Sequence, residues 1–184
     1  NVTGVQTCAL PISMRDLVGD EYARTVDAPL RERATRAPAH LEPARRSLAA
    51  LAAHAEARGV TLGIESRLLF HEFPLPQELA TLLTEHDPAI VGYWHDVGHV
   101  EVHHRLGLTD RGTWFDLLGD RIVGVHLHDV RGIVDHRAPG TGDVDFAWLA
   151  ARIPSTAART FEVDQHEPDD DLAAAIGVLR VAGF

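Results

Sequence analysis

Four residues combine type and placement in a way that suits a divalent cation. Glu65 closes the run Val60-Thr61-Leu62-Gly63-Ile64-Glu65, and Asp96 closes Gly92-Tyr93-Trp94-His95-Asp96. His126 lies in Val123-Gly124-Val125-His126-Leu127-His128, and Glu162 in Thr160-Phe161-Glu162-Val163-Asp164. Each is an ionisable residue near the carboxyl end of an extended, largely apolar segment. Three carboxylates gathered in one place repel, and burying even one unpaired carboxylate forces its protonation instead. A divalent cation removes that conflict. Three carboxylates and one imidazole form a hard, oxygen-rich donor set, which selects Mn2+, Mg2+, Co2+ or Fe2+ ahead of the Zn2+ of thiolate-rich sites.

The elements that must position these residues alternate regularly. Apolar residues at helical spacing predict a helix over 39–58, stopped by Gly59. Period-two alternation predicts a strand over 60–65 with Thr61, Gly63 and Glu65 on one face. A short helix follows at 77–85, then a strand at 90–96 and a broken helical region at 99–118. A third strand is expected at 121–129, a helix at 145–151, a fourth strand at 158–164 and a last helix at 169–181. Val123, Val125, Leu127, Phe161 and Val163 are expected on the helix-packed faces, which leaves Trp94, Asp96, His126, His128 and Glu162 on the opposite, inward one. Strands separated by helices imply βαβ units and a parallel sheet. A full eight-unit barrel needs ~250 residues, so four units match the C-terminal half, strands 5–8, of a (β/α)8 TIM barrel of α/β class.

The same segments carry a family resemblance. Leu62-Gly63-Ile64-Glu65-Ser66-Arg67, Asp96-Val97-Gly98-His99, Val125-His126-Leu127-His128-Asp129 and Phe161-Glu162-Val163 occur in the order found in the xylose-isomerase-like TIM-barrel superfamily. That group holds sugar-phosphate isomerases and epimerases, inosose dehydratases and apurinic endonucleases. Pro139-Gly140-Thr141-Gly142-Asp143-Val144-Asp145-Phe146 resembles its loop after the seventh strand. The resemblance implies that Glu65, Asp96, His126 and Glu162 are metal ligands and that Glu65 and Glu162 are also the catalytic acid/base pair. It further implies that His99 meets substrate hydroxyls and that Arg131 lies near a substrate oxygen or phosphate. Trp94, on the inward face with Asp96, is added here as a sugar-binding candidate. The expected reaction is isomerisation or epimerisation of a sugar or sugar phosphate by proton transfer through a metal-bound enediolate. The pattern departs from the ketose 3-epimerases at His71 and Glu72, where their second glutamate would stand, and Arg131 falls one residue short of their arginine.

Composition sets the outer limits. The 17 Lys+Arg, all of them Arg, against 27 Asp+Glu give a net charge of −10. That argues against a nucleic-acid partner, because phosphate backbones are held by clustered cations. No run of ~18 apolar residues offers a membrane span. The expected partner is a small carbohydrate, with self-association of the full-length protein a further option, in a reducing, cytoplasmic setting consistent with the single Cys8. Residues 2–12 resemble the translation of a sequencing adapter. Residues 1–12 are therefore set aside as non-native, and 13–184 are read as one partial barrel domain of a gene fragment. His95-Asp96-Val97-Gly98-His99 has the spacing of a zincin helix, but Gly98 and the preceding strand speak against that. Asp135-His136 offers a further ligand pair, as a related loop does in the endonucleases. The alternatives are thus an apurinic-endonuclease-like phosphodiesterase and an inactive fragment.

Overall fold

A computed structural model describes residues 19–184. The adapter-like stretch 2–12, with Cys8, lies outside the described residues. Helix α1 (Gly19–Arg36) and helix α2 (Pro38–Glu56) come first. Periodicity does not announce α1, because its apolar stripe is thin. It is held instead by Arg33, whose guanidinium donates to both Glu78 oxygens at 2.6 Å and to the carbonyls of Phe70 and Glu72. Helix α2 buries Leu48, Ala52 and Ala55 on one face, as its spacing predicts, and Gly59 past its end takes a φ of 62° while the Val60 N–H returns to Ala55 O.

Four strands follow: β1 (Leu62–Glu65), β2 (Val91–Asp96), β3 (Ile122–Leu127) and, further on, β6 (Ala158–Phe161). They form one parallel sheet in the order β1-β2-β3-β6. Helices α3 (Pro76–Leu83), α4 (Val97–Arg105), α5 (Arg111–Leu118) and α6 (Phe146–Ala150) occupy the connections, and α7 (Asp169–Ala182) follows β6. The core lies between sheet and helices, around Leu79, Val91, Tyr93, Trp114, Leu118 and Val125. The parallel βαβ architecture is thus the one its alternating pattern predicts.

Two facings differ from expectation. The β2–β3 register slips between Tyr93↔Ile122 and Trp94↔Gly124, which leaves Val123 as an extra residue on β3. Its methyls lie where side chains on Gly63 and Gly92 would be, so Val123 points inward and not toward the helices. Strand β6 ends at Phe161, three residues early. All four of its residues are exposed, with Phe161 at 42% rather than packed in the core, because β6 is an edge strand of the described sheet.

Residues after β3 form a hairpin where the sequence reads as loop. Strands β4 (Asp129–Arg131) and β5 (Val134–Arg137) pair antiparallel around Gly132-Ile133, with Gly132 at φ 64°. Gly98 also behaves differently from expectation. It does not interrupt a helix but sits in the first turn of α4, where a Cβ would strike the His128 ring.

His95, on the helix side of β2, is fully buried, with Nδ1 2.8 Å from the Tyr93 hydroxyl. Burial pulls its pKa down to about 4, against the opposing pull of the Asp96 charge. The folded state therefore refuses a proton that the unfolded chain accepts below its ordinary pKa of about 6.5. Stability is fully present above that value and falls as pH drops from there to about 4, by about 3 kcal/mol from this residue. Urea melts of wild type and His95→Leu across this range check it: the variant should lack this segment of the slope.

Candidate metal centre

The strand ends bring the four ligand-type residues together. Glu65 is the last residue of β1, Asp96 the last of β2 and His126 the last but one of β3, while Glu162 follows β6 directly. Asp96 pairs with His126 across β2 and β3, and His126 with Thr160 across β3 and β6, so the registers align these ends. One donor atom from each of Glu65, Asp96, His126 and Glu162 lies within 4.8 Å of all the others. His126 Nδ1 is the hub, 3.0 Å from Glu65 Oε1, 3.3 Å from Asp96 Oδ2 and in contact with Glu162 Oε2. Glu65 reaches it from one outer strand of the sheet and Glu162 from the other.

Glycines and one indole form the floor beneath. Trp94 lies in the space that a Cβ on Gly124 would occupy and 3.0 Å from the corresponding point on Gly63. Its ring centroid is 5.2 Å from that of His126. Trp94 is thus half-buried against the imidazole, with the sheet cleared of side chains to admit it.

The electrostatics follow from the crowding. Burial works against ionisation of Asp96, but hydrogen bonds from His126 and His128 outweigh it and hold the carboxyl well below the usual carboxylate range. The Asp96 hydrogen bond, followed by the charges of Glu162 and Glu65, raises His126 despite partial burial. One imidazolium offsets only one of three converging negative charges. The residual charge, the oxygen-rich donor set and the shared focus fit a hard divalent cation.

Other predicted residues are more dispersed. His99, on α4, donates from Nδ1 to the Ser66 carbonyl at 2.8 Å, and its backbone N–H donates to Asp96 Oδ1 at 2.8 Å, so it adjoins the cluster. Arg131 is exposed on β4 and donates to the Thr141 carbonyl. His71 lines a separate cavity of about 230 Å³ with Arg33, Arg36, His40 and Phe73. Glu72 is engaged by Arg67 and by the Leu69 N–H, both at 3.1 Å. Asp135 and His136 form a second group with His99, again within 4.8 Å of one another.

Two residues in the motifs have roles that spacing does not announce. Asp129 is buried and accepts the N–H groups of Val130, Gly140, Gly142 and Val144, so its carboxylate folds the Pro-Gly-Thr-Gly loop. His128 is fully buried with Nε2 2.9 Å from Asp96 Oδ1. The signal for both was their position one and two residues past the strand, where chain reversal demands satisfied backbone groups.

Comparison with known proteins identifies the fold and its family. A family model described as a xylose isomerase-like TIM barrel matches residues 21–181. An uncharacterized protein from Sinorhizobium fredii is 29% identical over 122 residues, covering 65% of this chain and 37% of its own length. A crystal structure of a "Putative Xylose isomerase" from Rhodospirillum rubrum superposes with a TM-score of 0.58 at 25% identity, over 76% of this chain and 52% of that one. The chain therefore spans about half the length of the solved relative, and less of the curated one.

Proposed function

Because the chain belongs to the xylose isomerase-like TIM-barrel family, we propose that it carries the metal-binding half of a sugar or sugar-phosphate isomerase or epimerase. The convergence of Glu65, Asp96, His126 and Glu162 on one point supports this reading. These four would hold a divalent cation, Mn2+, Mg2+ or Co2+, which when bound supplies Lewis acidity toward a substrate carbonyl and its neighbouring hydroxyl.

The chain's own groups divide the remaining work. Glu65 and Glu162 come from the two outer strands of the sheet and both meet His126 Nδ1, which suits one to take a carbon-bound proton and the other to return one. Glu162 is the more open, its side chain 44% exposed against 28% for Glu65, and so exchanges protons with solvent more readily. Trp94 offers an apolar face beside His126 for the C–H face of a sugar. His99 keeps Nδ1 as the donor to Ser66, which leaves Nε2 to accept from a substrate hydroxyl.

The experiment is deuterium incorporation from D2O into a panel of ketoses and their phosphates, with and without Mn2+, beside thermal melts. Expected are a Mn2+-dependent rise in melting temperature and label at the carbon next to the carbonyl. Absence of both overturns the proposal. The second group, His99-Asp135-His136, favours a second reading, a multi-metal phosphodiesterase. Cleavage of an abasic-site duplex would select it over sugar chemistry.

A further inference from the structure

The three carboxylates each turn one oxygen toward His126, and in Asp96 the other oxygen is already hydrogen-bonded. Asp96 Oδ1 accepts the His99 N–H at 2.8 Å and lies 2.9 Å from His128 Nε2, which leaves Oδ2 to face the cluster. Glu65 Oε2 is 3.6 Å from the Arg67 guanidinium, and Glu162 Oε1 is 4.0 Å from His136 Nε2. We propose that His128 is a positioning residue that makes Asp96 a one-oxygen donor, and that this biases the centre toward small six-coordinate ions and against Ca2+. The inference rests on the metal reading above.

The bond geometry fixes the tautomer. The backbone N–H of His136 donates to His128 Nδ1 at 2.7 Å, so that nitrogen holds the lone pair and Nε2 holds the proton, which goes to Asp96. The Gly98 N–H also points at Nε2, but at 3.3 Å, the longest of the three contacts. His136 can aim its N–H this way because its backbone is left-handed, at φ 56°, a conformation rare outside glycine. Asp164 N–H fastens the same residue by donating to His136 O at 2.7 Å. The absent Cβ of Gly98 admits the ring. Hairpin β4–β5 thus sets the orientation of His128, and His128 sets that of Asp96.

The consequence for selectivity is one of ligand count. Ca2+ takes about six to eight oxygens and commonly uses carboxylates two oxygens at a time, whereas Mg2+ and Mn2+ suit an octahedral set. With Asp96, the most buried of the three carboxylates, held to one oxygen, the centre leaves positions for substrate oxygens on an octahedral ion and denies Ca2+ the two-oxygen grip it favours.

Calorimetric titration of Mn2+ and of Ca2+ into wild type, His128→Leu and His128→Gln tests this, with a long-range 15N–1H spectrum of wild-type His128 beside it. Wild type should prefer Mn2+. His128→Leu, by freeing Oδ1, should weaken Mn2+ about 10- to 100-fold and narrow the Mn2+/Ca2+ ratio. His128→Gln, whose amide N–H reaches the same oxygen, should restore most of both. The inference is overturned if His128→Leu keeps the wild-type ratio. A spectrum placing the proton on Nδ1 overturns it equally, and that measurement needs no variant to fold. If wild type binds neither ion, the metal reading itself fails, and this inference with it.

Discussion

Asp96→Asn is expected to remove most of the stabilisation that Mn2+ gives the fold. Among the four converging groups Asp96 is the most deeply buried, at 0% exposure, and hydrogen bonds from His126 and His128 hold its carboxyl well below the usual carboxylate range in spite of that burial. At Mn2+ 100-fold above the dissociation constant, a site gains ~2.7 kcal/mol of stability by mass action. A variant weakened about a hundredfold sits near its own midpoint and gains only ~0.4 kcal/mol. Asn keeps the shape and an oxygen for the N–H groups of His99 and His128, but it places an uncharged amide where Oδ2 faced His126. The metal-free variant should also melt lower than metal-free wild type, because the depressed Asp96 pKa means that its ionised form stabilises the fold at neutral pH. The diagnostic quantity is therefore the Mn2+-dependent increment, read by calorimetry. In wild type that increment should grow with pH. His126 is held protonated above its ordinary range, first by Asp96, and a cation must displace that proton to reach Nδ1. An increment that survives Asp96→Asn, or one that shrinks as pH rises, would refute this account of the centre.

The legible part of the fold was set by periodicity and end signals. Helix α2 reads directly from Leu48, Ala52 and Ala55 above Gly59, and the last helix, expected at 169–181, is α7 at Asp169–Ala182. Strands β1 and β2 read from alternation up to a terminal carboxylate. What escaped was set by tertiary context. The Val123 bulge is invisible to a period of two, because a single inserted residue flips the facing of every residue before it while the sequence looks unbroken. Helix α1 is anchored by polar bonds from Arg33 to a loop some forty residues away, which no local pattern encodes. Hairpin β4–β5 has strands of three and four residues, too short for alternation to register, although its Gly132-Ile133 turn carried a usable signal.

The candidate site divides in the same way. Glu65, Asp96, His126 and Glu162 stood out because a parallel sheet sends neighbouring strand ends to one place, so position along each strand predicts proximity. Arg131 was placed by analogy alone, and its hairpin directs it to the Thr141 carbonyl. His128 and Asp129 looked like parts of the ligand motif, yet one braces a carboxylate and the other folds a loop. Such bracing depends on which backbone N–H groups arrive from elsewhere, and those come from His99, His136 and the Gly140–Val144 loop.

Glu162→Gln is expected to lower turnover on a responsive sugar by about 10²- to 10⁴-fold, the usual contribution of a positioned proton-transfer group. Gln retains a carbonyl oxygen for a cation but cannot accept a carbon-bound proton, so turnover should fall far more than Mn2+ binding. The isotope pattern then separates two mechanisms. If Glu65 and Glu162 serve opposite faces of one carbon, Glu162→Gln blocks epimerisation yet leaves Glu65 able to remove and return a proton on its own face. Substrate recovered from D2O would then carry deuterium although no epimer forms, and Glu65→Gln would show the reverse dependence on which epimer is supplied. If one carboxylate performs every transfer, as in a one-base isomerase, its Gln variant loses exchange and product together, while the other variant loses neither to the same degree. Mass spectrometry of recovered substrate decides between these cases. Unchanged turnover in both variants would remove the two glutamates from the chemistry altogether, leaving them at most as ligands. The greater exposure of Glu162 makes a further distinction: its proton should equilibrate with solvent within a turnover, whereas Glu65, flanked by Arg67 and more enclosed, should return more of the proton it removed. Label should therefore enter faster on the face that Glu162 serves.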